Sequence, residues 1–249
     1  MTASSPSDRR TAADFLELLR AGHIQVLGRL TGASNTTLYC EVSSGLDSAA
    51  CVYKPVAGER PLWDFPDGTL AGREVAAHAV SEALGWAVVP PTVYRDGPHG
   101  PGMVQLWTEP DPAVDLIALA RDLDHPGLRR MAVFDAVINN SDRKIGHLLP
   151  VPDGHLYGCD HGVAFAEDYK LRTVLWQWAG ESLPEGALER LNSLLTLLTT
   201  PHSDLARTLE QHLTGPERYA TRRRVEVLCE HDLHPYPSPD WPAVPWPPI

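Results

Sequence analysis

Residues 130–166 read RMAVFDAVINNSDRKIGHLLPVPDGHLYGCDHGVAFA, and the reading of the whole chain turns on them. Leu128, Met131, Phe134, Val137 and Ile138 recur at helical spacing, so a helix runs into a polar knot at 139–144, Asn-Asn-Ser-Asp-Arg-Lys. A short apolar strand is predicted over 146–150, then a turn at Pro152-Asp153-Gly154. A second strand over 155–158 runs up to Asp160-His161-Gly162. Two aspartates, Asp142 and Asp160, therefore fall at the ends of short apolar elements joined by a tight turn. A hairpin of this kind brings both carboxylates to one end, where they are candidates to share a metal ion or a phosphate-bearing ligand.

Upstream, a polar and small-residue start (1–10) is expected to be disordered. A helix is predicted over 11–21, with Phe15, Leu16, Leu18 and Leu19 on its apolar side. Strands over 24–30, 38–42 and 49–54 form an antiparallel meander, with a loop of small polar residues, 31–37, at its first turn. Pro55 stops the third strand. A long loop with Trp63 and Phe65 leads to a helix over 71–84, stopped by Gly85. Strands follow over 88–94 and 103–108, and Glu109-Pro110-Asp111-Pro112 reads as a hinge.

Downstream the pattern is mostly helical, with helices over 184–200, 203–213 and 216–231 opened by Pro or Ser. The last fifteen residues hold seven prolines together with Trp241 and Trp246, so 235–249 is expected to be extended. It either lies along the body or serves as a ligand for a protein partner; self-docking is the preferred reading. The chain therefore reads as an α+β protein of two lobes. The expected bounds are a tail (1–10), an antiparallel sheet-plus-helix lobe (11–109), a mainly helical lobe (110–234) and the Pro/Trp tail (235–249).

Composition narrows the function. With 249 residues, 43% of them hydrophobic, the chain can bury a sizeable core. No apolar run is long enough for a membrane span, and no signal-like start is seen, so a cytoplasmic protein is expected. Four cysteines without a C-x-x-C pair read as reduced thiols. Cys40 and Cys51 could face each other on paired strands, most simply as packing. A net charge of −11 disfavours nucleic acid and anionic membrane as partners.

Lys54 closes the apolar run Ala50-Cys51-Val52-Tyr53, and Glu74 opens the following helix as a possible partner. A lysine so held can bind nucleotide phosphates as a point charge. This order resembles the protein-kinase-like fold: a strand lysine, a helix glutamate, Asp142, then Asp160-His161-Gly162. It is similar above all to the atypical branch of phosphatidylinositol 3- and 4-kinases and HipA-type bacterial kinases. In the lipid kinases the loop reads Asp-Arg-His-x-x-Asn; here it reads Asp142-Arg143-Lys144-Ile145-Gly146-His147.

The resemblance implies ATP and Mg²⁺ as cofactors, with Mn²⁺ an alternative, and a hydroxyl-bearing substrate. Lys54 would contact the α/β-phosphates, positioned by Glu74. Asp142 would orient or deprotonate the acceptor hydroxyl. Asp160 would hold the metal, with His147 at the place of the second ligand: either the site runs on one metal, or it prefers manganese, or His147 contacts phosphate instead. Arg143 would pair with a phosphate or with Asp142. The 31–37 loop, with Ser34, Asn35 and Thr36, would cover the phosphates through N–H groups and hydroxyls. Gln105, Leu106 and Trp107 would sit at the adenine with backbone groups as partners. His161 replaces the Phe of Asp-Phe-Gly. Two rival functions use the same residues: a nucleotide-binding pseudokinase, and a metal-dependent hydrolase built on Asp142, His147, Asp160 and His161.

Overall fold

A computed structural model describes residues 10–32 and 34–249. The expected disorder at 1–10 falls, except for Arg10, outside the described residues, as does Ala33 of the 31–37 loop. Arg10 pairs with Asp47 at 2.6 Å.

The class is α+β, as expected. The chain packs as two units: one takes the chain up to Arg60 with Pro91–Trp107, the other Pro61–Pro90 with Thr108–Ile249.

The first unit holds α1 (Ala12–Ala21), β1 (His23–Arg29), β2 (Leu38–Ser44), β3 (Asp47–Pro55), β4 (Thr92–Gly97) and β5 (Gly100–Leu106). The strands form one antiparallel sheet in the order β1-β2-β3-β5-β4. The meander is therefore as read from the alternating pattern. β4 starts at Thr92, later than the apolar run suggested, because Pro90 and Pro91 have no N–H for a ladder. Thr11 starts α1 with a reciprocal cap to Asp14. Leu18 and Leu19 of α1 then cover one sheet face, carrying Cys40, Val42, Cys51, Tyr53 and Val104. Cys40 stands opposite Cys51 in the β2–β3 register, and both thiols are free and buried.

The second unit holds α2 (Leu70–Leu84), α3 (Leu116–Leu119), α4 (Pro126–Ile138), the hairpin β6 (Leu148–Pro150) and β7 (Leu156–Gly158), α5 (Ala187–Thr199), α6 (Asp204–His212) and α7 (Gly215–His231). Here the expected domain bounds need correcting: residues 61–90 were assigned to the sheet lobe, yet α2 packs on α4, α5 and α6. α2 is buried on more than one side, Val75, Val80 and Leu84 marking one of them. Ala71, Gly72, Ala76 and Ala77 are buried as well, and at Gly72 a Cβ would come within 2.9 Å of His212 Nδ1. Small residues thus let α6 approach closely, a contact that periodicity cannot show. Arg73, also buried, donates to the Ala164 carbonyl at 2.7 Å and to Glu217 at 2.5 Å.

The Pro/Trp tail has no helix or strand and lies along the helical unit. Gly180 N–H donates to the His234 carbonyl, Tyr169 Oη to the Tyr236 carbonyl, and Trp176 Nε1 to the Ala243 carbonyl at 2.7 Å. Trp241 stacks on Trp63 with ring centroids 6.1 Å apart. Among the described residues no helix is long and apolar enough to cross a membrane.

Candidate functional site

The site is built from the end of α4. The helix stops because Asn139 turns left-handed, at φ 54°. Asparagine tolerates that conformation, and here its amide also fastens the next segment. Nδ2 donates to the Ala166 and Asp168 carbonyls, while Oδ1 accepts from Lys170 N–H. Asn140 points the other way: its Nδ2 donates to Asp135 at 2.9 Å, and its Oδ1 accepts the Asp142 N–H at 3.1 Å. The two asparagines of the polar knot are thus posts that fix where Asp142 starts.

Ligand atoms of Asp142, His147 and Asp160 all lie within 4.8 Å of one another. His147 comes from a 3₁₀ turn at Ile145–His147, placed directly before β6. Asp160 follows β7 and also holds a left-handed backbone, at φ 62°. The hairpin therefore brings both carboxylates to one end, and His147 Nε2 lies 3.6 Å from Asp160. Lys144 Nζ stands 3.2 Å from Asp142. Two carboxylate oxygens and one imidazole nitrogen suit a divalent cation, with the nitrogen favouring manganese over magnesium.

Burial pushes the Asp142 carboxyl up from its ordinary value; Lys144 opposes the shift and the Asp160 charge adds to it. A protonated carboxyl no longer attracts a cation. Proton and cation therefore compete at Asp142 at a higher pH than at an unshifted aspartate. The expected result is a Mn²⁺ affinity that falls on acidification earlier than for a site of unshifted carboxylates, as followed by calorimetric titration at stepped pH.

Arg143 needs correcting. Expected on a phosphate or on Asp142, it is fully buried and its fork grips Asp135, with Nε and Nη2 each 2.9 Å from a carboxylate oxygen. Nη1 donates to the Cys159 carbonyl and, at 3.5 Å, to the His147 carbonyl; Nη2 also lies 2.7 Å from His161 Nε2. Burial works to lower the Arg143 pKa, but the Asp135 carboxylate more than reverses this, so the guanidinium stays charged. It is a scaffold beneath the loop, holding its middle, its turn and the base of β7. Because an arginine only donates, His161 Nε2 accepts, which places the proton of a neutral ring on Nδ1. His161 is consequently occupied in this buried network and not among the clustered ligands, so the hydrolase set loses one of its four members. The sequence signal for Asp135 was present: a charge inside the apolar run Phe134-Asp135-Ala136-Val137 requires a buried partner.

Glu74 is buried on α2, and its Oε2 accepts the His161 N–H at 2.9 Å. This bond fixes the residue after Asp160.

In the first unit, Lys54 leaves β3 on the face opposite Cys51 and Tyr53, beside Met103 of β5. Two groups of the 31–37 loop are engaged by residues 58 and 60 of the same unit. The Thr36 N–H goes to the Gly58 carbonyl at 2.9 Å, and Asn35 Oδ1 accepts the Arg60 N–H at 2.8 Å. Ser34 is exposed. Adenine partners were expected at 105–107, but the Leu106 N–H is taken by the Pro91 carbonyl and the Trp107 N–H by the Ala50 carbonyl. Gln105 Nε2 donates to Thr92 Oγ1, and the Trp107 ring meets Tyr39 edge-on. The sheet thus uses the main-chain donors that sequence order had reserved for ligand.

No family model matches the chain. Protein Rv2133c of Mycobacterium tuberculosis is 45% identical to it over 264 residues, covering 92% of this chain and 94% of that protein. The crystal structure of the Helicobacter pylori proinflammatory kinase CtkA superimposes with a TM-score of 0.47 at 11% identity, covering 86% of this chain and 94% of that one.

Proposed function

We infer that this chain, which belongs to the family of the Mycobacterium tuberculosis protein Rv2133c, is an ATP-dependent phosphotransferase with an alcohol group as acceptor. The observation that carries the reading is the convergence of Asp142, His147 and Asp160 at one end of the β6–β7 hairpin. These residues stand in the order Asp-Arg-x-x-x-His and then Asp-His-Gly, downstream of a lysine that ends an apolar strand. Phosphoryl transfer asks a protein mainly for cations against spreading negative charge and for an acceptor held in line.

In this reading Asp160 and His147 hold Mg²⁺ or Mn²⁺, and the cation, when bound, neutralises charge on the phosphate oxygens. Asp142 accepts the hydrogen bond of the substrate hydroxyl and takes its proton. Its raised pKa keeps it a better base than an exposed aspartate. Lys144, 3.2 Å from Asp142, adds a second cation at the transfer point. Lys54 takes the α/β-phosphates. Arg143 and Glu74 touch no reactant; they hold the loop and the His161 main chain.

The test is transfer of label from γ-labelled ATP with Mg²⁺ and with Mn²⁺. Lys54→Ala is expected to weaken ATP binding about ten- to a hundredfold, the worth of one charge-assisted contact. ATP binding without turnover in either metal would instead assign the chain as a nucleotide-binding regulatory module. Ester hydrolysis untouched by Lys54→Ala would assign it as a hydrolase.

A further inference from the structure

The Pro/Trp tail bonds the far end of the loop that carries Asp142 and His147 directly, and reaches its near end and middle through residues 170–174. At the near end, Lys170 N–H donates to Asn139, the residue that closes α4. The same lysine's ammonium lies 4.6 Å from the Trp241 ring centroid and 5.0 Å from that of Trp63, and it pairs with Asp64 at 3.2 Å. In the middle, Arg143 N–H donates to the Arg172 carbonyl, Val174 N–H to the Arg143 carbonyl, and Arg172 N–H to the Asn140 carbonyl. The tail backs that strip: the Ala243 carbonyl accepts both Thr173 N–H at 3.1 Å and Trp176 Nε1 at 2.7 Å. At the far end, Ile145 N–H donates to the Pro248 carbonyl at 2.9 Å, within the turn that presents His147.

We propose that the 235–249 segment is a positioning element of the site: it clamps the 139–147 loop so that Asp142 and His147 are held at ligand distance from Asp160. The proposal rests on the reading of Asp160 and His147 as metal ligands with Asp142 as the base beside them. The physical reason is that the loop has little regular structure of its own. Besides its own polar knot, the Arg143 anchor, the bonds of Ser141 N–H and Oγ to the Val163 carbonyl and that of the Cys159 N–H to the His147 carbonyl, it is ordered by a strip (170–174) that the tail covers. Trp241 is the hinge of the arrangement, since a cation–π contact to a buried ammonium is among the stronger ring contacts, and its partner ring Trp63 is otherwise largely exposed.

The experiment uses the full-length chain with Trp241→Ala, and Trp246→Ala as the control, because Trp246 is 86% exposed. Amide exchange without metal is read at two layers. Thr173 and Ile145, which bond the tail directly, are expected to exchange at least about tenfold faster in Trp241→Ala. Arg143 and Asp142, which make no hydrogen bond to the tail, should follow, while amides in α5 and α7 stay as in wild type. Mn²⁺ affinity is expected to weaken about tenfold, as for loss of a residue that orients ligands. Faster exchange at Thr173 and Ile145 with Arg143 and Asp142 unchanged would sink the proposal, as would an unchanged Mn²⁺ affinity once the tail is released. If wild type binds neither Mg²⁺ nor Mn²⁺, the phosphotransferase reading fails, and the two-layer exchange result still decides whether the tail orders the loop. Trp246→Ala should move neither readout.

Discussion

Asp142→Asn is expected to cut phosphoryl transfer from ATP about a thousandfold, the mid-range worth of a positioned general base, while leaving ATP affinity within about threefold. Asparagine keeps the shape, the Asn140-bonded main chain and the place beside Lys144, so the loop survives. What it loses is the lone pair that takes the proton and the negative charge that holds the hydroxyl in line. The change should appear in kcat and kcat/KM alike, because the interaction develops in the transition state. Asp160→Asn should behave differently, weakening Mn²⁺ affinity first and turnover through it. A kcat for Asp142→Asn within about threefold of wild type would remove Asp142 from the chemistry. An equal loss of Mn²⁺ affinity in both variants would make it a ligand instead of a base.

Arg143→Met is expected to cost about 3–5 kcal/mol of stability, enough to unfold a marginally stable protein. The pair it breaks is doubly bonded and wholly excluded from water, with both side chains at 0% exposure. Removing the guanidinium leaves Asp135 as a buried charge with, among the described residues, only the Asn140 amide bonded to its carboxylate. The cost comes from the stranded carboxylate more than from the lost attraction, so Asp135→Leu with Arg143→Met should recover most of the loss. Denaturant midpoints of wild type, Arg143→Met and the double variant check this. A cost below about 1 kcal/mol for Arg143→Met would mean that water reaches Asp135.

Much of the architecture could be read in the residues. Alternation placed β1 to β3, and helical stripes with Pro, Ser and Gly at their ends placed α2, α4, α5, α6 and α7. The turn Pro152-Asp153-Gly154 between two short apolar runs was enough to predict a hairpin with Asp142 and Asp160 toward one end. The errors share a cause: each concerns a partner far away in sequence or out of sight on a helix face. Arg143 was assigned to phosphate because it follows Asp142, yet a buried guanidinium goes where a buried carboxylate is, and Asp135 lies one turn back in an apolar helix. The N–H groups of Thr36, Leu106 and Trp107 looked available because nothing local claims them; Gly58, Pro91 and Ala50 do so from other segments. α2 was placed with the sheet because it follows β3 in the chain, whereas its run of small residues fits it among helices.

The stack of Trp63 and Trp241 has one more consequence. Two indoles 6.1 Å apart and inclined by 22° couple their electronic transitions, and a lysine ammonium lies within 5.0 Å of both rings. Their near-ultraviolet circular dichroism therefore carries a signature that exists only while the tail is seated. The molecule contains its own optical gauge of tail seating, readable without a label and on the time scale of a stopped-flow mixing experiment.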